Sequence, residues 1–306
     1  MTISATISLT DLPPPDLIET LSFEAILAEH KAYLISLYPA NQQADIAAVL
    51  EIESEPMTKL IENAAYREMI LRARFNDDAR ALMLPFAKGA DLDYIGITYY
   101  NNETRLVITP ADAAANPPVA AVYESDEDYR SRLELKPESY STAGAPESYE
   151  FHARSASGLV KGAKCTSPMP GTSLIYVLSY EGNGVPSQAV LDLVNARLHL
   201  PSVKPLSEEV IAQAAEIINY NIVADLYVYR GAVGDLCVSG AQAGLEGYAK
   251  AIHKLGEAVT YSGANAAAKV AGVQRVVLNI PETIPVTSGQ APYCTGIVVR
   301  IAGVVQ

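Results

Sequence analysis

The chain lacks tryptophan and has only 4 Phe and 3 Cys in 306 residues. Cys165, Cys237 and Cys294 are odd in number, far apart and form no CxxC pair. That argues against a disulfide framework and a structural zinc site and points to free thiols in a reducing compartment. Histidine is scarce too. His30, His152, His199 and His253 fall singly on separate predicted helices, without the converging spacing a metal needs. Positive charge is in deficit, 22 Lys and Arg against 35 Asp and Glu, for a net charge of −13. Nucleic-acid phosphate and an anionic membrane surface are therefore poor candidates for the main partner. No run of about 18 apolar residues occurs, so no transmembrane helix is expected. The start, Met1-Thr2-Ile3-Ser4, shows no basic region followed by an apolar one, so no signal peptide is expected.

Catalytic motifs are absent in the same way. There is no GxSxG, GxxxxGK[ST], HExxH or GxGxxG. Gly182-Asn183-Gly184 reads as a turn, not a nucleotide loop. Asp126-Glu127-Asp128 lacks the spaced ligands and central glycine of a calcium loop and reads as a helix start capped by Ser125. Cys294 has no histidine beside it in sequence and reads as a structural thiol. Lys161-Gly162-Ala163-Lys164 is a basic knot too small for a nucleic-acid groove. No catalytic, cofactor-binding or metal-ligating residue is assigned, and no cofactor is expected.

What the chain does have is apolar bulk, 49% of residues, and 18 Tyr. Tyrosine suits surfaces buried on assembly, and equally suits half-buried strands. The expected fold class is α+β, with long N-terminal helices, an irregular middle region and small C-terminal α+β sandwich domains. Residues 1–15 read as an extended arm. Ile3, Ala5, Ile7 and Leu9 alternate before Pro13-Pro14-Pro15, a pattern that suits addition to another sheet or a frayed terminus. Residues 16–88 form a helical region. Ser22 caps the first helix, Pro39 ends it, a second helix covers 42–53, and a third starts at Pro56. These helices carry modest apolar stripes, good material for a bundle shared between chains. Residues 89–118 read as a turn, a short strand region and a Pro/Ala/Asn-rich link at 109–118, the expected domain boundary.

Residues 119–170 form an irregular middle domain with helices after Ser125 and Pro146. From 171 to 306 the order is strand, helix, strand, strand, helix, helix, strand, strand, which suggests helices packed on small sheets. The helix over 187–199 is expected to bury Val190, Leu193, Val194 and Leu198. The clearest helix carries Ala241, Leu245, Tyr248, Ile252 and Leu255 at spacings of 4, 3, 4 and 3. Residues assigned to partner contacts are Leu27, Leu34, Tyr38, Leu60, Tyr66, Arg67, Tyr248 and Ile252.

Several segments together resemble the baseplate J-like family, wedge subunits of contractile phage tails and phage-tail-like bacteriocins. They are 12–39 with Ser22-Phe23-Glu24-Ala25-Ile26-Leu27, Glu62-Asn63-Ala64-Ala65-Tyr66-Arg67-Glu68, Gly89-Ala90-Asp91-Leu92-Asp93, Glu124 to Arg132, Tyr149 to Ala156, Gly272 to Val276, and Gln290 to Gly296. The resemblance runs over essentially the whole length; Leu135-Lys136-Pro137-Glu138 departs from its pattern. It implies a structural, non-enzymatic part, assembled in the bacterial cytoplasm and carried in a phage or phage-tail-like particle. It implies pairing with a second copy, contact with other wedge proteins and a sheath-initiating baseplate subunit, and links to neighbouring wedges in a six-fold ring that changes state on triggering. N-terminal helices would enter a heteromeric bundle and C-terminal domains would join the ring. The alternatives are a receptor- or sugar-binding tail module and a tail-associated hydrolase. The absence of internal repeats and of a catalytic constellation speaks against each in turn.

Overall fold

The computed structural model describes residues 15, 17–141, 144–231 and 233–305. The arm at 1–14 lies outside them. The chain divides into two compact units, residues 1–102 and 103–306.

The first unit is helical: α1 (Phe23–Ser36), α2 (Gln43–Leu50), α3 (Pro56–Ala81) and α4 (Gly89–Tyr99). The Ser22 hydroxyl accepts the Ala25 amide at 3.4 Å, as its N-cap position requires. Pro56 opens α3, where its missing N–H costs nothing. The long helix is pinned by polar contacts as much as by packing. Asn76 is buried and exchanges two bonds with the Glu19 backbone, at 2.9 and 3.1 Å. His30 meets Glu68 at 2.6 Å, and Arg72 meets the other oxygen of Glu68 at 2.6 Å. The apolar core is thin, with Ile26, Leu50, Ala65, Leu84, Ala87, Leu92 and Ile95 buried.

Residues 89–99 form one helix, which takes in the turn at Gly89 and the apolar run Tyr94-Ile95-Gly96-Ile97. Leu92, Ile95 and Gly96 fall on one helical face and are the residues buried, a period of about 3.6 that the short window concealed. Asn101 and Asn102 end this helix at φ 59° and 57°, and Asn102 N–H reaches back to Ile97 C=O at 3.2 Å. This is a left-handed helix cap that asparagine tolerates better than other non-glycine residues.

The second unit opens on a buried charge cluster. Arg132, on α5 (Asp126–Leu135), is fully buried. It donates to both Glu124 oxygens, at 2.7 to 3.2 Å, to Glu103, and to Thr104 C=O at 2.6 Å. Lys136 adds a second cation on Glu103 at 2.9 Å, and the Tyr129 hydroxyl donates to Glu103 C=O at 2.6 Å. The Pro/Ala/Asn-rich stretch follows as a loop. It is closed by β1 (Val107–Thr109) against β2 (Val122–Tyr123) and by an Asp112–Val119 bridge. The Asp112 carboxylate accepts the Ala114 and Ala115 amides, so the composition marks a turn held by its own side chain.

Two α+β layers follow, each with its own core. The first has sheet order β3-β4-β5 (Val160–Met169, Thr172–Ser179, Glu209–Ala214), covered by α6 (Pro146–Arg154) and α7 (Gln188–Leu198). Strand β3 lies inside the region expected to be irregular. Val-Lys-Gly-Ala-Lys-Cys-Thr-Ser-Pro-Met lacks a β-branched alternation, and pairing with β4 supplies its order. On α7, Val190, Val194 and Leu198 are buried at i, i+4 and i+8, while Leu193 is 53% exposed, contrary to the sequence reading. The buried stripe turns toward half-buried Leu191 and leaves Leu193 off it. Gly158 admits no side chain, because an added Cβ would collide with the Val107 carbonyl.

The second layer has sheet order β10-β6-β8 (Gln290–Val305, Glu216–Tyr229, Val273–Leu278). Strand β10 runs parallel to β6, and β8 antiparallel. Ile222, Ala224, Leu226 and Val228 alternate inward from β6 onto α8 (Gly234–Ile252) and α9 (Tyr261–Ala268). Short strands β7 (Val259–Thr260) and β9 (Thr283–Ile284) pair beside them.

Candidate protein interface

Along α3, one face is spent inside the first unit and a second is left over. The inner face carries Thr58, Ala65 and Asn76, buried, with Glu68 and Arg72 paired across to α1 and the segment before it. The outer face carries Leu60, 69% exposed, Leu71, 53%, Phe75, 63%, and Leu82 just past the helix end, 77%. Their spacings are 11, 4 and 7, so they fall on one stripe of a heptad-like repeat, with exposed Ala64 between the first two. Ile70 and Tyr66 are also exposed, on a different side of the helix. A solvated helix normally carries polar residues there. In this unit more large hydrophobic side chains are exposed than buried. A groove lined by Arg67, Glu68, Leu71, Arg72 and Phe75 runs along the stripe.

The residues singled out from sequence separate cleanly. Leu60, Tyr66 and Arg67 lie exposed on α3, and Arg67 makes no side-chain hydrogen bond or ion pair among the described residues. Leu27, Leu34 and Tyr38 are half-buried at α1 and its end. Tyr248 and Ile252 belong to the core of the second layer, a correction to their assignment as partner contacts. Ile252 is buried, and the Tyr248 hydroxyl donates to Thr260 C=O at 3.1 Å and accepts the Thr260 amide at 2.9 Å. Their spacing is that of any helix buried on a sheet, and α8 spends it on its own domain. Sequence reasoning missed Leu71, Phe75 and Leu82. The 26-residue length of α3 is the signal for them, since so long a helix outruns its short neighbours.

Three of the four histidines are engaged in structure. His30 pairs with Glu68, His199 Nδ1 lies 2.8 Å from Asn195 C=O, and His253 Nδ1 lies 2.7 Å from Pro292 C=O. Burial pushes the Cys165 thiol up to about 11 and raises Cys294 as well, which keeps both protonated and poorly nucleophilic. Among the described residues no group of three His, Cys, Asp or Glu is placed to hold a metal, and no helix is long and apolar enough to cross a membrane.

Two family descriptions match the chain: the Baseplate J-like N-terminal domain over residues 53–112, which takes in α3 and α4, and the Baseplate J-like central domain over 141–214, which takes in the first α+β layer. Baseplate protein J of Escherichia phage P2 is 48% identical over 290 residues, covering 94% of this chain and 95% of that protein. The chain belongs to the baseplate J-like family. A chain in the cryo-EM structure of the anti-feeding prophage (AFP) baseplate, 6-fold symmetrised, is similar at TM-score 0.40 and 14% identity, over 58% of this chain and 43% of that one. That likeness is too distant to define contacts.

Proposed function

We propose that this chain is a structural subunit of a contractile-tail baseplate, and that the outer stripe of α3 is completed by helices from other chains. The observation that carries the reading is the stripe itself. Leu60, Leu71, Phe75 and Leu82 expose apolar area at coiled-coil spacing on a helix whose other face is already packed. Burying such a side chain gains about 1.5–3 kcal/mol, enough for a few anchors to hold a partner helix. The identity to a phage baseplate protein over nearly the full length of both chains supplies the setting.

In this reading the partners are a second copy, other wedge proteins, a sheath-initiating subunit and neighbouring wedges of a six-fold ring that changes state on triggering. The particle is assembled in the bacterial cytoplasm and the subunit stays in the tail. Its role is mechanical, with no cofactor and no catalytic step, and neither nucleic acid nor membrane is a partner. The acidic balance of the chain and the raised thiols agree with such a role. Co-expression with the other baseplate proteins of the same tail tests it. The expected product is a stable complex holding two copies of this chain. A well-behaved monomer with no affinity for those proteins contradicts it.

A further inference from the structure

The second unit holds a cleft of ≈ 390 Å³ lined by Lys161 on β3, Glu246 and Lys250 on α8, His253 just past its end, and Cys294 and Thr295 on β10. Its charges do not balance. Lys161 is half-buried, yet its ammonium makes no hydrogen bond or ion pair among the described residues, whereas Lys164 on the same strand pairs with Glu150 at 3.1 Å. Asp128 attracts Lys161 only from a distance, since its carboxylate is taken by the Ser125 hydroxyl at 2.7 Å and by Tyr180. Lys254 repels it, and burial with that repulsion holds the ammonium below its ordinary range. Lys250, exposed at the rim, makes no ion pair among the described residues either. The carboxylate lining the cleft, Glu246, already accepts Gln242 Nε2 at 2.8 Å. In a chain of net charge −13, two lysines with a single carboxylate in one concavity stand out. A half-buried ammonium with no carboxylate in contact is unfavourable, and a carboxylate brought from outside relieves it.

The walls are firm. His253 is fixed by Pro292 C=O and meets the Tyr293 ring edge-on at 5.5 Å. Strand β10 is an edge of its sheet, and its register with β6 shifts between Cys294 and Gly296. A bulge leaves its extra residue out of the ladder and exposes backbone groups to another chain. Single lysines beside a strand edge suit a peptide carboxylate. Phosphate is normally held by an arginine fork or a nest of amides, and neither lines this cleft.

We propose that this cleft receives an acidic protein segment, an Asp or Glu side chain pairing with Lys161 and Lys250 while its backbone lies along the β10 bulge. The site is remote in sequence from the α3 stripe and rests on separate observations, so either can fail without the other.

Amide spectra of the isotope-labelled full chain test it, titrated with acetyl-Glu-Glu-Glu-amide, its all-Gln counterpart, and inorganic phosphate. The Glu peptide is expected to shift the Thr295 and Gly296 amides at concentrations where the Gln peptide and phosphate do not. Lys161→Met is expected to weaken that response at least ten-fold and Lys161→Arg to retain it, with the melting temperature of Lys161→Met unchanged or raised. An equal response to the Gln peptide or to phosphate, or an unchanged response in Lys161→Met, overturns the proposal. So does a lowered melting temperature in Lys161→Met, which would mean that Lys161 already has its partner within the fold.

Discussion

At the scale of single residues, the fold leans on buried charge to a degree that composition does not reveal. Arg132 is among the largest fully buried side chains of the described residues, and Glu124, the Thr104 carbonyl and, together with Lys136, Glu103 are paired by it. Removing one partner of a buried pair strands the others, at a typical cost of about 3–5 kcal/mol. Arg132→Ala is therefore expected to lower the stability of the second unit by that order in urea unfolding of the full chain. Histidines supply a pH dependence. Burial lowers His152, with Arg197 adding repulsion, and burial lowers His253. The unfolded chain takes up protons at both as pH falls through the ordinary histidine range, while the folded chain does so only at lower pH. Unfolding is thus favoured as pH falls across that window. Urea midpoints measured from pH 7.5 down to 5 are expected to fall, and His152→Phe to flatten the slope. A midpoint independent of pH in the wild-type chain would contradict the assignment.

At the scale of elements, the helices after Ser22, Pro56, Ser125 and Pro146 were legible because each start has a local cause, a capping hydroxyl or a proline in the first turn. Strands β4, β6 and β8 were legible from β-branched alternation. What local pattern could not show was order supplied from elsewhere. Strand β3 exists through its ladder with β4, and the loop at 109–118 is closed by Asp112. Helix α4 has too short a window to declare its period. The candidate interface was half legible. Leu60, Tyr66 and Arg67 are exposed on α3, whereas Tyr248 and Ile252 pack within their own domain; an apolar stripe looks the same whether its cover is a partner or the chain's own sheet. The distinction predicts opposite behaviour in mutants. Ile252→Ala creates a cavity and should cost about 2–5 kcal/mol of stability. Leu71→Glu on the exposed stripe should change it by no more than about 0.5 kcal/mol. Thermal denaturation of the two variants side by side checks both.

At the scale of the whole molecule, the chain divides at Asn102 and Glu103, earlier than the Pro-rich composition suggested. Each side has its own means of holding together, a helix cap at Asn101 and Asn102 and the Arg132 cluster from Glu103 onward. A fragment of residues 103–306 should therefore fold alone and keep the sheet signature of the second unit in circular dichroism. The first unit is expected to fare differently. Its thin core and exposed α3 stripe make it the part that depends on company, which is what a shared helical bundle requires. The most direct measurement is co-purification of full-length Leu60→Glu/Leu71→Glu/Phe75→Glu with the other baseplate proteins of its tail, alongside the wild-type chain. The variant is expected to keep its circular dichroism spectrum and lose the complex. A variant that enters the complex as well as wild type would contradict the assignment of α3 as the assembly surface.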